Sequence, residues 1–221
     1  MKTLFYFVLF CFSSCNHSED AINYIPVEYQ YPLSKIGKGK SISYEKTGSN
    51  RQDFTTNIKL INEKGVQYIL TSNYAYGSIV DSVKTSIDGK LLEKYDFGLF
   101  HNINMKSLKA EIIEDKILNN DNKYGIRISK FRYTFLNKKI SIIEEEKYLY
   151  DTIVDNNGLQ LKCFVTETKS KIEYENKGKK IAEEIVKKKS YFGKERGLFC
   201  YKIDKKDDSA IWFQMGIEDE K

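Results

Sequence analysis

Hydrophobic and polar residues alternate through most of this 221-residue sequence in short runs rich in Ile, Val, Thr, Tyr and Phe. Turn residues punctuate the runs at strand-like intervals, so most segments read as β-strands. Around Asn62 to Gly65, Ile58 and Leu60 alternate before the turn and Val66, Tyr68 and Leu70 after it, which predicts a hairpin with one face in the core. VKTSIDGKLLEKY predicts another, because Asp88-Gly89 offers the positive φ angles of a two-residue type I′ turn and is flanked by Ile87 and Leu91. Further strands are expected at Ser41 to Lys46, Gly125 to Leu136, Lys139 to Tyr150, Leu159 to Lys169, Gly197 to Asp204 and Ala210 to Ile217. Asn119 to Asn122 and Asp155 to Gly158 read as turns between some of them.

Two stretches depart from the alternation. In KKIAEEIVKKK, Ile181, Ala182, Ile185 and Val186 fall on one helical face with charges opposite, which predicts a short amphipathic helix. In MKSLKAEIIEDKIL, Met105, Leu108 and Ile112 have helical spacing while the Ile-rich end fits a strand, and both readings stay open. The fold class expected is mainly β, a β-rich α+β arrangement. A large curved antiparallel sheet or a partly closed barrel with one or two short helices fits best. An immunoglobulin-like sandwich fits less well, since the strands are long and uneven and the single tryptophan, Trp212, stands near the end.

The start of the chain carries an address. Lys2 precedes an apolar run from Leu4 to Phe12, closed by Ser13 and Ser14, which is the layout of a secretory signal and about half the length a membrane-spanning helix needs. Cys15, directly after two small residues, resembles the lipobox of bacterial lipoproteins, although Phe12 stands where that family usually has an aliphatic residue. The resemblance implies an acylated Cys15 and a membrane anchor of several chains, each buried CH2 contributing about 0.8 kcal/mol. The expected organisation is a signal peptide over residues 1–14, an acylated cysteine and polar tether over 15–22, and a single β-rich domain over 23–221. Asn16 is not the aspartate that marks inner-membrane retention, and Glu19 and Asp20 resemble the acidic export signals of Bacteroidota lipoproteins. The expected location is the outer membrane of the cell envelope, on its periplasmic side or at the surface.

Composition narrows the partners. The formal net charge is +5, but both signs are mixed along the chain, which is not a nucleic-acid signature. Lys187 to Lys189 and Glu144 to Glu146 are runs short enough to read as solvated faces, the glutamates as a solvated strand edge. With Cys11 inside the signal and Cys15 acylated, Cys163 and Cys200 remain for an oxidising compartment. They read either as a disulfide or as two small buried hydrophobes in the strand-like LKCFV and LFCYK.

TIVDNNGLQLKCFVTET followed by SYFGKERGLFCYKI resembles a pairing in Bacteroidota envelope proteins, carried here by Gly158 and Cys163 and then by Tyr191, Phe192, Gly193, Gly197 and Leu198. YPLSKIGKGKSISYE resembles the opening of the same proteins. The resemblance implies a β-sheet platform like that of DUF3108-type and LolA/LppX-like periplasmic proteins, some of which hold lipid in the sheet's concavity, and it implies no catalytic residue. Gly193 and Gly197 also have a local reading, a tight turn and a bulge before a closing strand.

No catalytic constellation stands out. The two histidines, His17 and His101, form no metal-binding cluster, and HExxH, G-x-S-x-G and phosphate-loop motifs are missing. The 31 acidic residues give no spacing that nominates a glycosidase pair, and NNDNKYG over 119–125 lacks the ligand spacing of a calcium loop. Tyr74 and Tyr76, like Tyr29 and Tyr31, share a face of an extended stretch and are candidates for contact with a sugar or an apolar ligand, or for cross-strand packing. No cofactor and no metal is expected. The function expected is that of a non-enzymatic, membrane-anchored envelope lipoprotein that binds a hydrophobic ligand or an envelope protein. The alternatives are a surface lipoprotein that binds or cleaves glycan and an immunity lipoprotein.

Overall fold

The structure, a computed structural model, describes residues 24–46, 52–75, 78–97, 107–118, 123–156, 158–205 and 208–219. The signal, Cys15, the tether, His17, His101, Tyr76 and the 119–122 turn lie outside the described residues.

Two three-residue 3-10 turns, Val27–Tyr29 and Leu33–Lys35, precede the strands. The strands are β1 (Lys40–Lys46), β2 (Gln52–Glu63), β3 (Val66–Ala75), β4 (Ser78–Ser86), β5 (Leu91–Asp96), β6 (Leu108–Lys109), β7 (Glu111–Leu118), β8 (Ile126–Phe135), β9 (Lys138–Asn156), β10 (Leu159–Asn176), β11 (Lys179–Gly193), β12 (Gly197–Lys205) and β13 (Asp208–Asp219). They form one antiparallel sheet in the order β6-β5-β4-β3-β2-β1-β13-β12-β11-β10-β9-β8-β7. Strands consecutive in sequence therefore pair, except β6 with β7, and β1 pairs with β13 to join the two halves. The two edges are β6 and β7, which follow each other in the chain, so the ladder leaves the sheet open at a single seam.

Residues on distant strands show which way the sheet curls. Phe54 on β2 and Tyr201 on β12 lie 6.1 Å apart between ring centroids although β1 and β13 run between them, and Lys94 on β5 reaches Glu144 on β9 and the Phe131 ring on β8. Their shared face is concave. Two buried clusters occupy it: Ile42, Tyr44 and Tyr201 near the middle, and Ala110, Phe131 and Tyr133 beside the seam. Cys163, one residue out of phase with the concave Phe164, packs on the convex side with Phe199 and Cys200.

The β-rich expectation holds, two local expectations are corrected, and one open reading is decided. The segment read as an amphipathic helix is the start of β11, paired with β10 from Asn176↔Lys179 to Cys163↔Gly193. Lys177 and Gly178, with φ of 49° and 74°, make the two-residue turn that returns the chain. Ile181 and Ile185 are 66 % and 48 % exposed, so the apparent apolar stripe was never a core face. The open segment before residue 118 resolves into β6 and β7, and among the described residues the only helical pieces are the two early 3-10 turns. At Asp88-Gly89 only the glycine has positive φ, and the Gly89 N–H donates to Ser86 O at 3.0 Å. The loop is thus a three-residue turn ending in a left-handed glycine, held by Ser86 Oγ, which bonds Asp88 and accepts the Lys90 N–H.

The expected bulge before the closing strand is present: the register between β11 and β12 shifts at Tyr191/Phe192. A Cβ on Gly193 would lie 2.1 Å from Leu161 Cδ2, so any other residue there would have to displace that leucine methyl.

Candidate functional site

Period-two alternation sorts β9 into two sides. Glu144 and Glu146 face the concavity, opposite Ser129 and Arg127 of β8, while Glu145 faces out. The solvated-edge expectation for these glutamates is therefore corrected: β9 lies between β8 and β10, and two of the three carboxylates point inward. Across the concavity, Thr56, Asn73 and Asp81 stand in one row over β2, β3 and β4. Thr56 Oγ1 donates to Asn73 Oδ1 at 2.8 Å, and Asn73 Nδ2 donates to Asp81 Oδ1 at 2.6 Å.

Lys94 closes the belt between the two sides. Its Nζ is 4.0 Å from Glu144 Oε2 and 4.1 Å from the Phe131 ring centroid, a cation over an aromatic face. Glu146 Oε1 accepts the Thr166 hydroxyl at 2.8 Å. Burial pushes the Asp81 carboxyl above its ordinary range, against the Asn73 hydrogen bond and the Lys94 charge. Burial likewise raises Glu146, against the Thr166 hydrogen bond and the charges of Arg127 and Lys188. Tyr133, 1 % exposed, has no hydrogen-bond partner for its hydroxyl, which burial and the facing charges of Asp96, Asp81 and Glu144 hold firmly protonated. Lys94 and Glu144 keep 21 % and 32 % of their side chains exposed, so water reaches the belt.

A second carboxylate centre lies at the seam. Asp115 accepts Arg127 Nε at 3.0 Å and Nη2 at 2.9 Å, the Ser129 hydroxyl at 2.8 Å and the Leu91 N–H at 2.7 Å. Arg127 Nη2 also donates to Gly89 O at 3.0 Å. These bonds tie the β4–β5 turn to β7 and β8 where the ladder is missing, and the Ala110 N–H adds a bond to Lys94 O at 2.8 Å. Burial would raise the Asp115 carboxyl, but the bidentate arginine, the Leu91 N–H and Ser129 outweigh it and hold it below the usual carboxylate range.

Aromatic residues gather around Phe164, which is fully buried, with Tyr148 at 4.8 Å, Tyr124 at 5.0 Å and Tyr29 at 5.6 Å between ring centroids. Tyr29 arrives on the first 3-10 turn, whose Glu28 carbonyl accepts the Glu195 N–H at 2.7 Å. Tyr31 packs instead against the Ile42, Tyr44 and Tyr201 cluster, so Tyr29 and Tyr31 are separated rather than paired as a platform.

Of the residues singled out by sequence, Tyr74 is half-buried on β3, opposite Thr55 and Ile79. It follows Asn73 and so turns away from the belt. Cys163 and Cys200 are free buried thiols in one cluster, and β11 runs between their strands. Among the described residues no three His, Cys, Asp or Glu side chains are grouped to hold a metal. Asp81, Lys94 and Tyr133 escaped the sequence reading, and Glu144 and Glu146 were read there only as part of a solvated edge. The alternation of the three consecutive glutamates was the available signal, and it shows pairing on a face without showing which face is enclosed.

No protein-family model matches the chain, and no curated protein matches it in sequence. Two solved structures are similar in shape. A candidate lipoprotein from Parabacteroides distasonis aligns with TM-score 0.49 and 9% identity over 87% of this chain and 99% of that one. A candidate exported protein with a YmcC-like fold from Bacteroides fragilis aligns with TM-score 0.45 and 9% identity over 82% and 96%. Likenesses this distant transfer no residue role to this chain.

Proposed function

We propose that this chain is an envelope lipoprotein, anchored through acylated Cys15, whose curled sheet binds a polar ligand or a polar group of an envelope partner and catalyses no reaction. The observation that carries the binding reading is the water-accessible belt of Asp81, Lys94, Glu144 and Glu146 on the concave face. Burying charge that is not fully paired costs stability, so a fold with no use for such a belt gains by replacing it with apolar residues. The same lining makes the apolar ligand expected from the sequence the poorer occupant, because hydrocarbon leaves these carboxylates unsolvated.

The anchor is tested by radioactive palmitate labelling, with label in the wild type and none in Cys15→Ser. The site is tested by native mass spectrometry of the Cys15→Ser protein purified without detergent. A polar molecule retained at a fixed ratio supports the reading. A retained lipid of one class contradicts it and restores the carrier expectation.

A further inference from the structure

We propose that the outer edge of β9 pairs with the same edge of a second copy of this chain, with Thr152 on the twofold axis, so that two sheets join through a short antiparallel ladder. The inference goes beyond the reading above and uses neither the anchor nor the concave belt.

The edge arises because neighbouring strands differ in length. β9 pairs with β8 only as far as Ile126↔Lys147, and β10 pairs with β11 only as far as Cys163↔Gly193. Beyond those points β9 and β10 continue as a two-stranded finger, in unbroken register from Val165↔Tyr150 to Leu159↔Asn156. Residues 150–156 of β9 therefore have no partner strand on their outer side among the described residues. Such an edge is a template for another strand, and natural proteins blunt it with charge, proline or a bulge.

The start of β11 shows the blunted form. Residues 179–186 also run past the pairing with β12, but they carry Lys179, Lys180, Glu183 and Glu184, and the ladder with β10 shifts register at Tyr174/Glu175. The β9 edge lacks those devices. Tyr150, Thr152, Ile153 and Val154 are strong strand formers, and the register shift falls before them, at Val165/Thr166. Asp155 is engaged by the turn, accepting the Gly158 N–H at 3.1 Å and Gln160 Nε2 at 3.3 Å. Tyr150 and Ile153 are left 44 % and 67 % exposed.

The strand's own sequence selects the partner. Faces must match when two sheets join, so the allowed registers differ by two residues. Centring the pairing on Thr152 sets Thr152 against Thr152 and Tyr150 against Val154 on the convex face, both favoured cross-strand pairs. On the concave face it sets Asp151 against Ile153 and brings the two Ile153 side chains to diagonal positions. Moving the centre to Asp151 puts that carboxylate opposite itself, and moving it to Ile153 puts Asp151 opposite Asp155. Like charges directly opposite are unfavourable, so the edge is complementary to itself in the register centred on Thr152. That self-complementarity commits it to a second copy rather than to an unrelated strand. A ladder this short buries less than a stable dimer does, so a dissociation constant on the order of 10 to 100 µM is expected.

The test is sedimentation equilibrium of the Cys15→Ser protein, where a reversible monomer–dimer equilibrium is expected. Thr152→Lys, which sets two ammonium groups on the axis, is expected to weaken association roughly tenfold or more with circular dichroism unchanged. A second measurement reads the register and survives a Thr152→Lys protein that fails to fold. Asp151→Cys and Ile153→Cys proteins, both changed at exposed positions, are oxidised with copper phenanthroline separately and as a mixture. Directly opposite residues have α-carbons about 4.5 to 5.5 Å apart, within disulfide reach, and diagonal ones lie farther off. The mixed disulfide is therefore expected to exceed either self-linked product several-fold. A monomer at all concentrations overturns the proposal, as does full association of a folded Thr152→Lys protein. Mixed and self-linked products in equal yield overturn it too, by assigning them to random collision. In cells, oxidation of a chain carrying both cysteines is expected to give a covalent dimer, and a product joined to another protein overturns self-pairing by giving the edge to that partner.

Discussion

The seam and the belt each enclose carboxylate on the concave side of one sheet, and the two treat it in opposite ways. Asp115 at the seam receives four hydrogen bonds, two of them from one guanidinium, and is held ionised. In the belt Asp81 accepts a hydrogen bond from Asn73 and Glu146 accepts one from Thr166, and burial drives both carboxyls upward. A carboxylate that is saturated by its neighbours holds strands together. One that is enclosed and left short of donors costs the fold stability instead.

The comparison breaks most visibly at the seam. Asp115→Ala leaves Arg127 partly buried without its carboxylate and strands the Leu91 N–H. A loss of about 3 to 5 kcal/mol is expected, as for other enclosed pairs stripped of one partner. It is read as a lower urea midpoint with the slope kept. An unchanged midpoint would mean that the seam bonds do not hold the sheet closed.

The two regions should also oppose each other in pH. Asp115 has a depressed folded pKa, so its contribution is present above the unfolded value of about 3.9 and fades as pH falls through the folded one. Glu146 and Asp81 have raised folded values, so their burden is absent below about pH 4 and grows as pH rises through the raised range. The groups facing Glu146 are Arg127, Lys188, Glu144 and Thr166, and those facing Asp81 are Asn73, Lys94, Asp96 and Lys188. Glu146→Gln is therefore expected to stabilise at neutral pH, by on the order of 1 kcal/mol, and to lose that advantage in acid. Urea midpoints measured across pH decide it, and a variant less stable than wild type at neutral pH contradicts the belt's description.

How much of this could be read from sequence follows the same division. The hairpin at Lys64-Gly65 and the strands of the second half were legible because alternation and turn residues are local. The start of β11 was not, since KKIAEEIVKKK satisfies a helical period while the ladder with β10 that decides it is a non-local fact. The inward direction of Glu144 and Glu146 was illegible for a related reason. Alternation places them on one face, and only the curl of the sheet, set by contacts such as Phe54 with Tyr201, makes that face the enclosed one. Asp115 and Leu91 meet only because the sheet's two edges approach, and no spacing between residues 91 and 115 announces that.

A smaller change sharpens the belt's side of the comparison. Tyr133→Phe removes a buried hydroxyl that has no partner and keeps the ring against Phe131, 5.9 Å away between centroids. Stability is expected to hold or to rise by up to about 1 kcal/mol in the melting of the free protein. A loss of more than that would show that the hydroxyl has a partner in solution and is not held for a ligand.

The smallest effect is expected on the convex side, where the cysteines offer an uncharged contrast to both carboxylate centres. Cys163 faces Gly193 and Cys200 faces Tyr191, so β11 separates them, and strands once removed stand about 9.5 Å apart. A disulfide needs α-carbons within about 7 Å. Burial pushes the two thiols up to about 11 and about 12, which keeps them protonated and slow to react while the sheet is folded. The native protein is therefore expected to resist iodoacetamide at both positions, and the unfolded protein to take up one group at each without prior reduction, read by peptide mass. Uptake only after reduction would reveal a bridge. Because that bridge would have to cross β11, it would also require the neighbouring strands to lie closer at Gly193 than an ordinary ladder allows, which the absence of a side chain there makes the first place to look.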